Sequence, residues 1–231
     1  MGARLLTLAL ILGLAALPTA WAQTHSPRDF AAMVAGIMTK GQVIVASVPL
    51  NSGAWGTDFI TVSHALGVGR QYGVLNGSGP SAAAAPVMAC SSRAHGIDVL
   101  VLRVKAQPNQ PVVEWGDPRE LRAGDELMVY VRKEVHPEPV KVKFLHLNLL
   151  EWSHTARDEW EPQWHHVMVG DGLVKPGFSG SPWIRNGKVY GLVKGQIRPA
   201  GQGAWYAAAE SATRIMRCLK DQHYTELVPR E

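Results

Sequence analysis

The sequence predicts an all-β chain, a sandwich or barrel, followed by a C-terminal helix. Three observations carry this. Apolar runs rich in Val, Ile, Leu and Thr recur at intervals of roughly 8–12 residues and are broken by Gly, Pro, Asn and Asp. Two such runs flank Asn186-Gly187, the residue pair favoured in a type I′ hairpin turn. From Ala207 the composition changes, and Ala208, Ser211, Ala212, Ile215 and Leu219 form one face at helical spacing.

Taken in order, the first 22 residues read as an address rather than as fold. Arg4 precedes an apolar run from Leu5 to Leu17, then Pro18 and the small-residue pattern Ala20-Trp21-Ala22. That is the layout of a secretory signal peptide over residues 1–22. The run is shorter than the ~20 residues that span a bilayer, and no later segment is long enough. The expectation is an exported mature protein, periplasmic or secreted, with no stable membrane insertion after cleavage. Residues 23–40 include a helix-like stretch from Arg28 to Met38. Strands are predicted at Val43–Val48, Asp58–Val62, Val99–Val104, Glu126–Arg132 and Val140–Leu147, and the hairpin at Pro182–Val193. Ala82–Ala85 reads as an Ala-rich patch within a loop. The helix is predicted over about 207–222, with 223–231 a tail.

Composition narrows the class. The chain has 231 residues, 46% hydrophobic and 18% charged, with a net charge of +4. It is long enough for one domain, or two small lobes that share a site, and can bury a core without metal or disulfide. The apolar content and the absence of a heptad or Gly-X-Y period exclude disorder, coiled coil and collagen. Lys and Arg are scattered with no basic run, so no nucleic-acid partner is expected. The two cysteines, Cys90 and Cys218, have no C-x-x-C spacing, which argues against a zinc or redox motif. Spacing alone leaves them open as paired or free thiols. His154, His165 and His166 match no metal-ligand motif, and no metal or organic cofactor is expected.

The densest chemical signal is Lys175-Pro176-Gly177-Phe178-Ser179-Gly180-Ser181-Pro182. A serine between glycines on a tight turn presents its hydroxyl and leaves nearby amides free, as a nucleophile beside an oxyanion site requires. A serine nucleophile also needs a base and a group that orients the base. Upstream, the run Asp58–Val62 leads into His64, and Asp98 stands at the mouth of the apolar run Val99–Leu102. Each alone reads equally as a rim histidine or a turn aspartate. Their order, His, Asp, Ser, each at the end of a β-run, lifts the set above its parts.

With these residues in hand, the chain resembles the trypsin/chymotrypsin superfamily, and within it the bacterial HtrA-like branch. Thr61-Val62-Ser63-His64-Ala65 is similar to the family's histidine motif, and Asp98–Val104 to its aspartate strand. Gly116-Asp117 with Leu121–Asp125 resembles its G-D-S…L-x-x-G-D segment, and Asp171–Pro182 its D-A-x-x-x-P-G-N-S-G-G-P segment. The resemblance runs from about Val43 to Tyr206. It implies a protease domain over 23–222 built as two perpendicular antiparallel β-barrels, one at about 40–108 and one at about 118–206, with the site in the cleft between them.

The resemblance also implies roles. Ser179 would be nucleophile, His64 base and Asp98 orienter, with the amides of Gly177 and Ser179 as oxyanion hole. Leu173 and Lys194 would border the pocket for the residue before the scissile bond and disfavour a basic one. The family's C-terminal helix packs on the first barrel, which implies a Cys90–Cys218 disulfide. The partner would be a protein or peptide substrate; nothing in the sequence speaks to oligomeric state. Phe178 and Ser181 depart from the family's Asn and Gly, and no PDZ module is expected. Two rival readings stand beside this resemblance. An α/β-hydrolase would order its triad Ser, Asp, His and follow the serine with a helix, not a hairpin. An exported chymotrypsin-fold binding protein with a vestigial site would share every motif.

Overall fold

A computed structural model describes residues 27–64, 66, 71–77, 80–92, 97–132, 137–154, 160–172, 174–197 and 204–227, with side chains except at 91, 92, 148–154 and 160–167. The expected signal peptide and Leu173 lie outside the described residues.

A short helix, α1 (Pro27–Met33), leads into β1 (Ala35–Thr39), β2 (Gln42–Gly53), β3 (Gly56–Thr61), β4 (Tyr72–Leu75), β5 (Ala82–Ser92) and β6 (Ile97–Val104). These six strands close into an antiparallel barrel in the order β1-β2-β3-β6-β5-β4. A two-residue strand, β7 (Glu114–Trp115), and a 3-10 turn at Pro118–Glu120 carry the chain across. Then follow β8 (Glu126–Val131), β9 (Glu138–His154), β10 (Trp160–Asp171), β11 (Pro182–Arg185), β12 (Lys188–Ile197) and β13 (Tyr206–Ser211). They run β11-β8-β9-β10-β13-β12, and the β11–β12 pairing closes the ring; β7 adds to β12 in parallel. Closure of both sheets leaves few open edges. Helices α2 (Ala212–Asp221) and α3 (Tyr224–Leu227) end the described chain.

The apolar runs are continuous, not alternating, because these strands are buried on both faces. In β6, Leu100, Leu102 and Val104 fill the first barrel, while Val99 and Val101 join a layer between the barrels. In β12, Val193 and Tyr190 fill the second barrel, while Leu192 and Val189 face that same layer. The layer also takes in Phe30 from α1 and Ile215, Cys218 and Leu219 from α2. The hairpin at Asn186-Gly187 has φ of 50° and 81°, the positive pair that a type I′ turn requires.

Several expectations are corrected. The helix-like stretch Arg28–Met38 stops at Met33, and Ala35–Thr39 is β1, paired with both β2 and β4. Ala35 and Ile37 point into the first barrel, so the pattern there has period two. Ala82–Ala85 is not loop but the start of β5; small side chains suffice where β5 runs beside β4. The C-terminal helix begins at Ala212, not 207. Ala207 and Ala209 are buried in the second barrel, where β13 threads between β10 and β12, and tertiary pairing overrides their helix propensity. Ser211 then caps α2, its Oγ accepting from the Arg214 amide at 3.4 Å. Part of the expected tail is helix α3: Tyr224 is buried there and its hydroxyl donates to Asp58 at 2.6 Å. Asp58, fully buried in β3, also receives Arg103 Nε and Nη2 at 2.8 Å each, and the Arg103 guanidinium lies over Trp55. Cys90 in β5 and Cys218 in α2 are joined by a disulfide, with Cα atoms 6.4 Å apart.

Candidate active site

The serine loop is shaped by two successive turns. The Phe178 amide donates to Lys175 O at 3.1 Å and the Ser181 amide to Phe178 O at 3.1 Å. The intervening amides of Gly177 and Ser179 donate to no acceptor among the described residues. Gly177 (φ +90°) and Gly180 (φ +77°) both occupy left-handed backbone, which the loop needs to turn twice in four residues. At Gly180 the requirement is also steric: a Cβ would meet Ala46 O at 2.0 Å and Thr61 Oγ1 at 2.4 Å. That contact is where the barrels touch. The Ala46 amide on β2 donates to Ser179 O at 2.9 Å, and Gly180 N to Val193 O at 2.8 Å. Ser179 is thus held between β2 of one barrel and β12 of the other. Phe178 packs in the second barrel's core and anchors the loop from below.

His64 follows the end of β3, and Asp98 opens β6, which pairs with β3. The pairing brings the two side chains together although 34 residues separate them. His64 Nδ1 is hydrogen-bonded to Asp98 Oδ2, and His64 Nε2 lies 3.1 Å from Ser179 Oγ. The imidazole is half exposed, whereas Asp98 is buried. Asp98 Oδ1 accepts from the His64 amide at 2.8 Å, the Ser63 amide at 2.9 Å and Ser63 Oγ at 2.6 Å. Burial pushes the Asp98 carboxyl up, but the donors from His64 and Ser63 and the adjacent imidazole outweigh it and leave the group at about 2. It is ionised across the neutral range. This arrangement can hold the imidazole in one orientation and present Nε2 to the hydroxyl proton.

Ser63 enters the sequence argument only within the histidine motif, where nothing marks its hydroxyl as a partner of Asp98. Glu210, whose carboxylate feels the Asp98 charge, carries no sequence signal, since an acid in an Ala-rich segment reads as helix surface. Lys194 lies on β12 with its Nζ 3.9 Å from Glu210 Oε2. No group of His, Cys, Asp and Glu suited to a metal occurs among the described residues.

Two closed six-stranded antiparallel barrels with a C-terminal helix define the chymotrypsin-like fold, and the serine, histidine and aspartate lie where the barrels meet. Solved structures agree on the fold. The Rv3671c protease of Mycobacterium tuberculosis H37Rv, in an inactive form, superposes with a TM-score of 0.64 at 19% identity, covering 89% of this chain and 95% of that one. The MamO protease domain from Magnetospirillum magneticum gives 0.62 at 13% identity, covering 82% and 96%. The HtrA-type protease AlgW, solved with a tripeptide, gives 0.60 at 18% identity, covering 82% of this chain and 60% of that one. No protein-family model and no curated protein sequence matches the chain.

Proposed function

We propose that the protein is a serine endopeptidase that cleaves peptide bonds through an acyl-enzyme. The observation that carries this is the unbroken hydrogen-bond line from Asp98 through His64 to Ser179 Oγ. Ser179 Oγ attacks the scissile carbonyl carbon as His64 Nε2 takes its proton. Asp98 holds Nδ1–H and stabilises the imidazolium. His64 then gives the proton to the leaving amine, the C–N bond breaks, and the acyl group stays on Ser179. Water, deprotonated by His64, releases the acid and restores the serine. The free amides of Gly177 and Ser179 are suited to the oxyanion, and one such donor is worth about 2.7–4 kcal/mol in comparable enzymes.

Peptides with an uncharged residue before the scissile bond are the expected substrates. That expectation rests on the resemblance, which assigns Leu173 and Lys194 to the pocket; the Lys194 charge itself lies 3.9 Å from Glu210. We further infer export to an oxidising compartment, which the Cys90–Cys218 disulfide fits; among the described residues no helix is long and apolar enough to cross a membrane. A fluorophosphonate probe tests the activity. It should label the wild type and not Ser179→Ala. Labelling of neither would favour a binding protein that keeps the fold and has lost the chemistry.

A further inference from the structure

Behind Asp98 lies a second carboxylate that the mechanism above does not use. Glu210 is fully buried on β13, on the face opposite to Ala207 and Ala209, which fill the second barrel. Its cross-strand neighbour on β12 is Leu192, a member of the layer between the barrels. Neither Glu210 oxygen has a hydrogen bond of good geometry. What surrounds it is charge. Arg214 Nη1, from the first turn of α2, lies 3.1 Å from Oε1, and Lys194 Nζ, from β12, lies 3.9 Å from Oε2. From β6, the Asp98 main chain and carboxylate both act on it.

Burying a carboxylate without full hydrogen bonding is unfavourable, and an apolar residue here would generally be tolerated better. The four groups, however, balance: two acids, Asp98 and Glu210, against two bases, Lys194 and Arg214. His64 is the one group bonded to this set whose charge must change during the proposed reaction. Neutralising Glu210 leaves an excess positive charge beside the place where the imidazolium forms; restoring its charge favours the imidazolium. Burial raises the Glu210 carboxyl to about 7, the Arg214 and Lys194 charges oppose the rise, and the Asp98 charge adds to it.

We propose that Glu210 is a positioning residue for the Asp98–His64 pair, a second buried acid whose charge favours the imidazolium form of His64 from behind. This rests on the protease reading for its purpose, but its test does not. The test is the His64 pKa, followed by imidazole NMR in the full disulfide-bonded protein and assigned against His64→Gln. Glu210→Gln removes a negative charge that acts on Asp98 and should lower the His64 pKa by about half a unit or more, a free-energy change of about 0.7 kcal/mol. Lys194→Gln, which removes a cation from the same cluster, should raise it by a similar amount. A merely structural role for Glu210 would not produce shifts of opposite sign. The pH midpoint of fluorophosphonate labelling should move with each shift. If the His64 pKa is unchanged in either variant, or moves in the same direction in both, the proposal is overturned. Should Glu210→Gln not fold, Lys194→Gln decides alone: a raised pKa supports the coupling, an unchanged one refutes it. Opposite shifts without any labelling would sink the protease reading and leave the coupling standing.

Discussion

Replacing Gly180 by alanine should both destabilise the protein and silence the serine. The new methyl would sit 2.0 Å from Ala46 O and 2.4 Å from Thr61 Oγ1. Ala46 O belongs to a strand backbone and cannot swing aside. A φ of +77° adds about 1–2 kcal/mol for any residue with a Cβ. Relieving the overlap means drawing β2 and the serine loop apart, which breaks the Ala46 N to Ser179 O bond and the Thr61 Oγ1 to Ala46 O bond, about 1 kcal/mol each. The sum is about 3–5 kcal/mol once residual overlap is included, or roughly 6–20 °C in Tm for a chain of this size. Displacing Ser179 by an ångström from His64 should slow fluorophosphonate labelling by about 100-fold. Gly187→Ala is the control. Its φ is +81°, but a Cβ there meets nothing within 4 Å, and the hairpin lies away from the serine. It should lose only about 1–2 kcal/mol and keep its labelling rate. Equal Tm losses in the two variants would show that the strain is conformational only, and would refute the steric argument for the inter-barrel contact.

Three further outcomes follow from the same contacts. The Cys90–Cys218 bridge spans 128 residues, and closing such a loop is worth about 5 kcal/mol in the chain-entropy model; reduction or Cys218→Ala should lower Tm by roughly 10–20 °C, and alkylatable thiols in the unreduced protein would contradict the pairing. Because the Asp98 carboxyl titrates at about 2, below its ordinary 3.8, the stability it contributes is present above pH 3.8 and is lost as pH falls from there through about 2. Ser63→Ala removes one donor and should move that loss to higher pH in an acid-unfolding titration; an unmoved curve would show that the Ser63 hydroxyl is not a significant partner. Tyr224→Phe deletes a buried hydroxyl donor to the Asp58 carboxylate, a bond of about 1.5–3 kcal/mol, and a Tm within 1–2 °C of wild type would show that α3 is not held by it.

What the sequence by itself determined was local and chemical. Gly177 through Ser181 declares a tight turn around a serine, Asn186-Gly187 a type I′ hairpin, and the order His64, Asp98, Ser179 a set of groups at strand ends. Each depends on backbone preferences or residue chemistry within a few positions, so each is legible along the chain. The tertiary structure decided what depends on neighbours distant in sequence. Ala207–Ala209 has good helix propensity, yet two flanking strands make it β13, and the helix waits for the Ser211 cap. The period-two signal of β1 is short, because a five-residue strand with only Ala35 and Ile37 facing the barrel offers too few alternations to stand out from the helical run before it. Glu210 becomes a candidate part of the site only because β13 turns it away from the barrel core toward Asp98, more than 100 residues earlier. Cys90 and Cys218 pair because α2 packs in the layer between the barrels, a contact that no spacing encodes. Hydrogen-bond preferences are written residue by residue, whereas burial and charge balance are properties of the space between chains of contacts, and that space exists only after both barrels close.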